Sequence, residues 1–492
     1  MIPGSNSSLT FVDLHGDGIP GILIEISTRG SPCWPFKRAL GGGRYAEAEY
    51  LPNRPSNTIS ASSRGLGTLQ LIDINGDGVP ELVSFDAGLP GFSRTNSFEA
   101  SLLLTPISLG PSTPTQDGSW EPFVYFDSLP TLDWTSPSTA FVDLTGDGYT
   151  DVLSTKYQKF DWYQGLEEGG FARADLENPG QASNGDEHPR IVISETGTKA
   201  RVTFADMTGD GLSDIVRVSN GDISYWPNQG HGGFGAKVSM ENAPRFDFDD
   251  LWDPQNVRLV DIDGTGPCDL LYLGGLVSGG TRIYFNESGN SWSAPRSVSV
   301  VPGIGSTRWS EVQVVDILGT GTPCLVWTSI GYNTGRGTVH YVDLTGGVKP
   351  NMLNSVINSY GSETYVKYAS SVSFNLQDRA AGHPWLTRLP FPVQVVQSIQ
   401  HVDRIGRTFH QSRLAYHHGH YDSTAHQREI RGFAKVEQWD TEAFDMLSQE
   451  AGSLGVGVNI DDKSSHVPPV HTKTWFHVGA WLESRGGLDS RY

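Results

Sequence analysis

The sequence predicts an all-β fold, a six-bladed β-propeller with a further β-rich segment behind it, and three observations carry that prediction. One motif recurs six times along the chain. Each copy reads as two short apolar strands around a glycine-rich turn, which is the pattern of a hairpin. The composition agrees, because 58 Gly, 29 Pro and 13 Trp against only 5 Met describe many short strands and turns.

The copies are FVDLHGDGIPGILI, LIDINGDGVPELV, FVDLTGDGYTDVL, FADMTGDGLSDIV, LVDIDGTGPCDLL and VVDILGTGTPCLV. Their anchoring aspartates, Asp13, Asp73, Asp143, Asp206, Asp261 and Asp316, are spaced by 60, 70, 63, 55 and 55 residues, the period of one supersecondary unit per copy. About 20 residues after the aspartate, most copies place an aromatic strand and then a second glycine turn. Examples are Cys33-Trp34-Pro35 before Gly42-Gly43, Asp161-Trp162-Tyr163 before Gly169-Gly170, and Tyr225-Trp226-Pro227-Asn228 before Gly232-Gly233. Two hairpins make a four-stranded sheet, and a lone sheet of that size cannot bury its faces, so the copies must stack. Six stacked units closing in a ring give the propeller. Units of this length are long for an open solenoid and short for separate sandwiches.

The turns have the spacing of calcium loops, with side-chain oxygens at positions 1, 3, 5 and 9 and glycine at 6 for the bend. The second copy is complete with Asp73, Asn75, Asp77 and Glu81. The third and fourth offer Asp143, Thr145, Asp147, Asp151 and Asp206, Thr208, Asp210, Asp214. In the first, His15 and Gly21 replace ligands; in the fifth, Asp261, Asp263 and Asp269 remain, with Thr265 at position 5. Ca2+ is therefore a candidate cofactor. The competing explanation is turn chemistry alone, the aspartate accepting neighbouring backbone N–H groups without metal.

A domain boundary falls where the repeat stops, giving 1–348 for the propeller and 349–492 for a segment that stays β-like, with alternation through Glu363-Thr364-Tyr365-Val366-Lys367-Tyr368 and no strong helical period. In Tyr416-His417-His418-Gly419-His420, strand geometry lets only His418 and His420 share a face, with His426 as a distant third ligand. Polar positions of a half-exposed strand are the preferred reading there. The acidic run Asp247, Asp249, Asp250 and Asp253 is interleaved with Phe246, Phe248 and Trp252, which makes these aromatics a weak candidate for an exposed partner-binding patch.

Several function classes are excluded. A net charge of −20 argues against a nucleic-acid surface. No apolar run reaches the length of a membrane span and the start lacks the basic-then-apolar pattern of a cleaved signal, so a soluble chain without membrane insertion is expected. Three cysteines, Cys33, Cys268 and Cys324, without a C-x-x-C pair, supply neither a disulfide framework nor a structural zinc cluster. No nucleophile elbow, P-loop or H-E-x-x-H motif occurs, so no catalytic residues are assigned and the chain is read as non-enzymatic.

The residues also resemble a known family. The aspartate-glycine copies are similar to FG-GAP or VCBS propeller repeats, and Tyr225-Trp226-Pro227-Asn228-Gln229-Gly230-His231-Gly232-Gly233-Phe234 resembles the form they take in the B subunit of insecticidal toxin complexes and in SpvB-like virulence proteins. Ala381-Gly382-His383-Pro384-Trp385, Leu389-Pro390-Phe391-Pro392-Val393, Arg428-Glu429-Ile430-Arg431-Gly432-Phe433 and His471-Thr472-Lys473-Thr474-Trp475 resemble that subunit's middle segments, in the same order. The resemblance implies a propeller that docks on and gates a pore-forming A subunit, followed by the start of an Rhs/YD-type shell that encloses cargo together with a C subunit. It implies a product made in the cytoplasm and acting extracellularly within a toxin complex. The other expectation is a calcium-stabilised extracellular recognition or adhesion propeller.

Overall fold

The computed structural model describes residues 7–26, 33–52, 69–86, 88–95, 120–134, 136, 139–154, 161–174, 200–230, 232–248, 252–274, 280–298, 312–330, 337–423, 428–440, 450–455 and 469–480. Each copy of the motif opens a small antiparallel sheet with its strands in sequence order. The first sheet holds Ser7–Val12, Gly21–Ile26, Cys33–Lys37 and Glu49–Pro52; the second Leu69–Ile72, Glu81–Asp86, Leu89–Ser93 and Val124–Tyr125. The third holds Thr139–Val142, Asp151–Ser154, Asp161–Gly165 and Phe171–Ala174, and the fourth Ala200–Ala205, Asp214–Ser219, Asp222–Trp226 and Val238–Ser239. The fifth holds Val257–Val260, Asp269–Tyr272, Arg282–Tyr284 and Arg296–Ser297, and the sixth Gln313–Val315, Cys324–Ile330 and Gly337–Asp343.

The cores lie between successive sheets, as expected where each sheet is too small to bury itself. Leu23, Trp34 and Phe36 meet Leu82 of the second sheet; Val83, Phe85 and Phe92 meet Val152 and Phe171 of the third; Leu153 and Trp162 meet Phe204 of the fourth. Met207, Val216 and Tyr225 pack on Leu270 and Tyr272 of the fifth, and Leu271 and Ile283 on Leu325 and Trp327 of the sixth. The sixth returns to the first, since Ile317, Cys324 and Val326 pack on Phe11 and Gln313 Nε2 donates to Leu9 O at 3.0 Å. First strands meet first strands around this circuit: Arg201 Nη1 donates to Val257 O at 2.6 Å and Arg258 Nη2 to Val312 O at 3.1 Å.

Behind the sixth sheet lies one six-stranded antiparallel sheet, Ser355–Ile357, Ser362–Ser370, Gln394–Asp403, Thr408–Asp422, Glu429–Asp440 and Val470–Trp475. A helix, Ser371–Ala380, interrupts it; the sequence showed no helical period there, because ten residues with Ser, Asn and Val at intervals carry little amphipathic signal. Ser370 Oγ caps it by accepting from Val372 N at 3.3 Å. Its Asp378 is held to the sheet, accepting from Trp385 Nε1 at 2.7 Å and pairing with His417 Nδ1 at 2.7 Å.

Candidate functional site: the aspartate-glycine turns

Each turn is built by its first aspartate. Asp73 accepts from Gly76 N at 2.6 Å and Gly78 N at 2.9 Å; Asp143 accepts from Thr145, Gly146 and Gly148, and Asp206 from Thr208, Gly209 and Gly211. Gly76 and Gly78 sit at φ +68° and +81°, a region that only glycine adopts without strain. The ninth-position carboxylate then ties the turn to its sheet. Asp151 accepts from Leu144 N and Gly165 N, Asp214 from Met207 N and Asn228 N, and Glu81 from Ile74 N and Asn75 Nδ2. Asn228 Nδ2 goes on to donate to Leu144 O of the preceding sheet at 3.2 Å, so the residue after the Trp-Pro pair stitches two sheets together.

Burial, followed by the nearby Asp77 charge, pushes Asp73 up to about 6 and Glu81 up to about 9. Burial likewise raises Asp151 and Asp214 to about 6, against the backbone N–H groups that favour their charged forms. Among the described residues, the three acidic groups whose oxygens converge within 4.8 Å of one another are Asp261, Asp263 and Asp269 of the fifth turn. The aspartates of the second, third, fourth and fifth turns alike accept backbone amides, and the residues that the sequence nominated in the second, third and fourth do not converge in that way.

Positive charge reaches the turns from elsewhere. Arg379 of the helix pairs with Asp17 and donates to Ala39 O at 2.7 Å, while Arg38 holds the same Asp17 at 2.9 Å. Arg388 Nη1 stands 3.6 Å from Asp77 Oδ2. Arg428 lies 4.5 Å over the Tyr149 ring and donates to Asn75 O at 3.3 Å, bridging the second and third turns. Gln394 Nε2 donates to Thr320 O in the sixth turn at 2.6 Å, and Asn351 Nδ2 to Asp263 O in the fifth at 3.3 Å. The turn glycines form the floor of this contact: a Cβ on Gly76 would stand 2.0 Å from Arg428 Nη2, and one on Gly78 2.3 Å from Pro390 Cγ. At Gly211 of the fourth turn nothing lies within 4 Å. Sequence reasoning missed Arg379, Arg388 and Arg428 as partners of the turns; the only signal was the place of Arg428 in one of the family-like segments.

The aromatic patch is corrected. Phe246 and Trp252 are 2% and 6% exposed, stacked at 4.8 Å inside the core between the fourth and fifth sheets, and only Phe248, at 78%, faces solvent. Their alternation with acids reads as a surface, but the stacking of two sheets buries them. Asp249, Asp250 and His426 lie outside the described residues. His418 and His420 do not share a strand face: His418 has φ +57°, its Nδ1 accepts from Leu386 N at 3.1 Å, and the pairing shifts at His420.

Comparison with known proteins follows the same outline. Residues 286–451 match the model of the insecticide toxin TcdB middle/N-terminal region, and residues 143–216 match an FG-GAP-like repeat. The Photorhabdus luminescens Tc holotoxin pore superposes with a TM-score of 0.72 at 25% identity over 97% of this chain. The chain is Tc B-subunit-like. A TcdB2-TccC3 structure gives a TM-score of 0.59 at 25% identity over 96% of this B-subunit-like chain, and a form without the hypervariable C-terminal region gives 0.59 at 23%. The chain spans about a fifth, 20%, of the length of these solved chains. No curated protein matches it. Among the described residues no helix is long and apolar enough to cross a membrane.

Proposed function

We propose that the chain serves as a non-enzymatic subunit of a toxin complex, its six sheets forming a six-bladed propeller that docks on and gates a pore-forming A subunit. The downstream sheet, Ser355–Trp475, would then be the first wall of an Rhs/YD-type shell that encloses cargo together with a C subunit. The observation that carries this is the likeness to the Tc holotoxin pore over 97% of the chain, together with the TcdB-type segment and the FG-GAP-like repeat. The contacts add a direction. Arg379, Arg388, Arg428 and Gln394 occupy the turn face with the chain's own downstream segment, which leaves the opposite face of the ring for the A subunit. Within this reading the chain acts outside the cell that makes it, and its partners are proteins rather than nucleic acid.

Calcium belongs to this proposal as a structural ligand of the turn face, centred on Asp261, Asp263 and Asp269. A cation there would stabilise the ring, as it would in a recognition propeller, and take no part in a reaction.

The test is co-assembly. The chain is mixed at micromolar concentration with the pore-forming A subunit of a Tc complex, and complex formation is read by analytical ultracentrifugation and electron microscopy. Stoichiometric binding through the face away from the turns is expected; no binding, or binding through the turn face, would overturn the docking role.

A further inference from the structure

The downstream sheet places two histidines side by side. His401 on Gln394–Asp403 and His410 on Thr408–Asp422 are directly opposite in the antiparallel pairing, and both are exposed. Their ring centroids stand 6.5 Å apart at an interplanar angle of 44°. Thr364, opposite His401 on the second strand, completes the row, and its Oγ1 lies 3.1 Å from His401 Nδ1. Opposed residues of an antiparallel pair have Cβ atoms about 4.5–5.5 Å apart, so the two imidazoles project from one face with their tips able to converge. Exposed side chains change rotamer readily, and a small turn of either ring brings its nitrogen toward the other.

Two carboxylates flank the row. Asp440 pairs in register with Ser412, two residues along the strand from His410. Hydrogen bonds from Gln438 and Ser412 hold its carboxyl below the ordinary range, with His410 near enough to add to the effect. Asp403 stands two residues from His401 and so on the same face. The histidines near Glu437 are a different case: His417 and His471 share that carboxylate with the Nζ atoms of Lys435 and Lys473, which already supply its counter-charge.

We propose that His401 and His410 form a site for a divalent transition-metal ion of the zinc, nickel or copper class, which clamps the third and fourth strands of the downstream sheet together. Imidazole nitrogen is a preferred ligand of these ions, whereas calcium takes oxygen, so the site is chemically separate from the aspartate-glycine turns. An ion at Nε2 of His401 leaves the proton on Nδ1, which donates it to Thr364 Oγ1; that contact fixes the tautomer and the ring plane. His410 supplies the second nitrogen, water completes the shell, and Asp403 and Asp440 favour the cation through their charge. The sequence nominated histidines within a single strand, but the opposed pair comes from two strands joined by the turn 404–407. The inference goes beyond the toxin-complex reading and does not rest on it.

The probe is Zn2+ alone, titrated into the full chain by isothermal titration calorimetry with calcium present in excess. Expected are a saturable site at micromolar zinc, at least a tenfold weakening by His401→Ala and the same by His410→Ala, and no further loss when the two are combined, because a two-histidine site fails with either nitrogen. His383→Ala, at an exposed histidine outside the row, should leave the affinity unchanged. The metal-free melting temperature should not move in either variant, and zinc should slow amide exchange at 399–403 and 408–412 in the parent chain but not in the variants. Absence of saturable binding below millimolar zinc would overturn the proposal. So would binding that survives both substitutions, or losses that add in the double variant, which would mean two independent surface histidines.

Discussion

Replacing Arg379 by alanine tests whether the aspartate-glycine turns are seats for the downstream segment. In the structure Nη1 pairs with Asp17 Oδ2 and Nη2 donates to Ala39 O at 2.7 Å, with side-chain exposures of 17% for Arg379 and 7% for Asp17. A hydrogen bond to a charged group contributes roughly 1.5–3 kcal/mol net, and removing one member of a buried pair costs about 3–5 kcal/mol. Asp17 is not orphaned, because Arg38 Nη2 stays at 2.9 Å, which places the expected loss at the lower end, about 3 kcal/mol. Arg173→Ala is the control, since its exposed pair with Asp161 contributes about 1 kcal/mol or less. The assay is urea unfolding at unchanged m, with amide exchange across the helix 371–380, where about 3 kcal/mol corresponds to roughly a hundredfold acceleration. A loss no larger than that of Arg173→Ala would refute the reasoning. So would a full-sized loss that persists in an Asp17→Asn background, because the contact would then lie elsewhere.

Glycine substitutions separate backbone strain from docking. Gly211→Ala, at φ +87° with open space around it, is expected to cost about 1 kcal/mol of strain, whereas Gly78→Ala, at φ +81° with Pro390 in the way, should cost about 1–3 kcal/mol more by urea titration. Phe246→Ala should lose about 3–5 kcal/mol and Phe248→Ala less than about 0.5, measured in the same way. Acid should loosen the downstream sheet first. Burial alone would raise Glu437, but hydrogen bonds from Lys435 and His471 and the charges of Lys435 and Lys473 hold it down from 4.5 to about 2. A depressed carboxyl contributes stability that is present above pH 4.5 and is lost as pH falls toward 2, so Glu437→Gln should flatten that limb of the pH–stability curve.

The repeat was legible because its period is short and its turn chemistry local: an aspartate, two glycines and flanking apolar strands sit within a dozen residues, and they fold in the structure as the pattern suggests. The cores between sheets follow from the same pattern. What lay beyond sequence reasoning is tertiary. Arg379 and Arg428 stand 362 and 353 residues from Asp17 and Asn75, and no local pattern marks an arginine as the partner of so distant a turn. Phe246 and Trp252 misled because alternation with acids is the usual mark of a surface, and only the neighbouring sheet, through Tyr272 and Tyr284, decides otherwise. The half-exposed strand preferred for His417, His418 and His420 is what the structure has, while the left-handed backbone at His418 breaks the strand periodicity on which the face assignment rested.

The six turns share a motif but not a charge environment, and calcium should report the difference. Arg379 and Arg38 neutralise Asp17 of the first turn, and Arg388 and Arg428 bring two guanidinium groups to the second. A divalent ion entering there would have to displace fixed cations whose positions are set by the downstream sheet. The fifth turn has a cation at its glycine too, since a Cβ on Gly264 would stand 3.3 Å from Lys349 Nζ, and it differs in that the oxygens of Asp261, Asp263 and Asp269 converge. Added calcium should therefore raise the melting temperature of the chain, and chelator should lower it, through the fifth turn alone. By mass action the gain is about 2.7 kcal/mol at a hundredfold excess over Kd. Asp263→Asn should abolish the shift and Asp77→Asn should leave it intact. A shift that survives Asp263→Asn and vanishes with Asp77→Asn would mean that calcium displaces the arginines, and that the contact between ring and downstream sheet is itself under cation control.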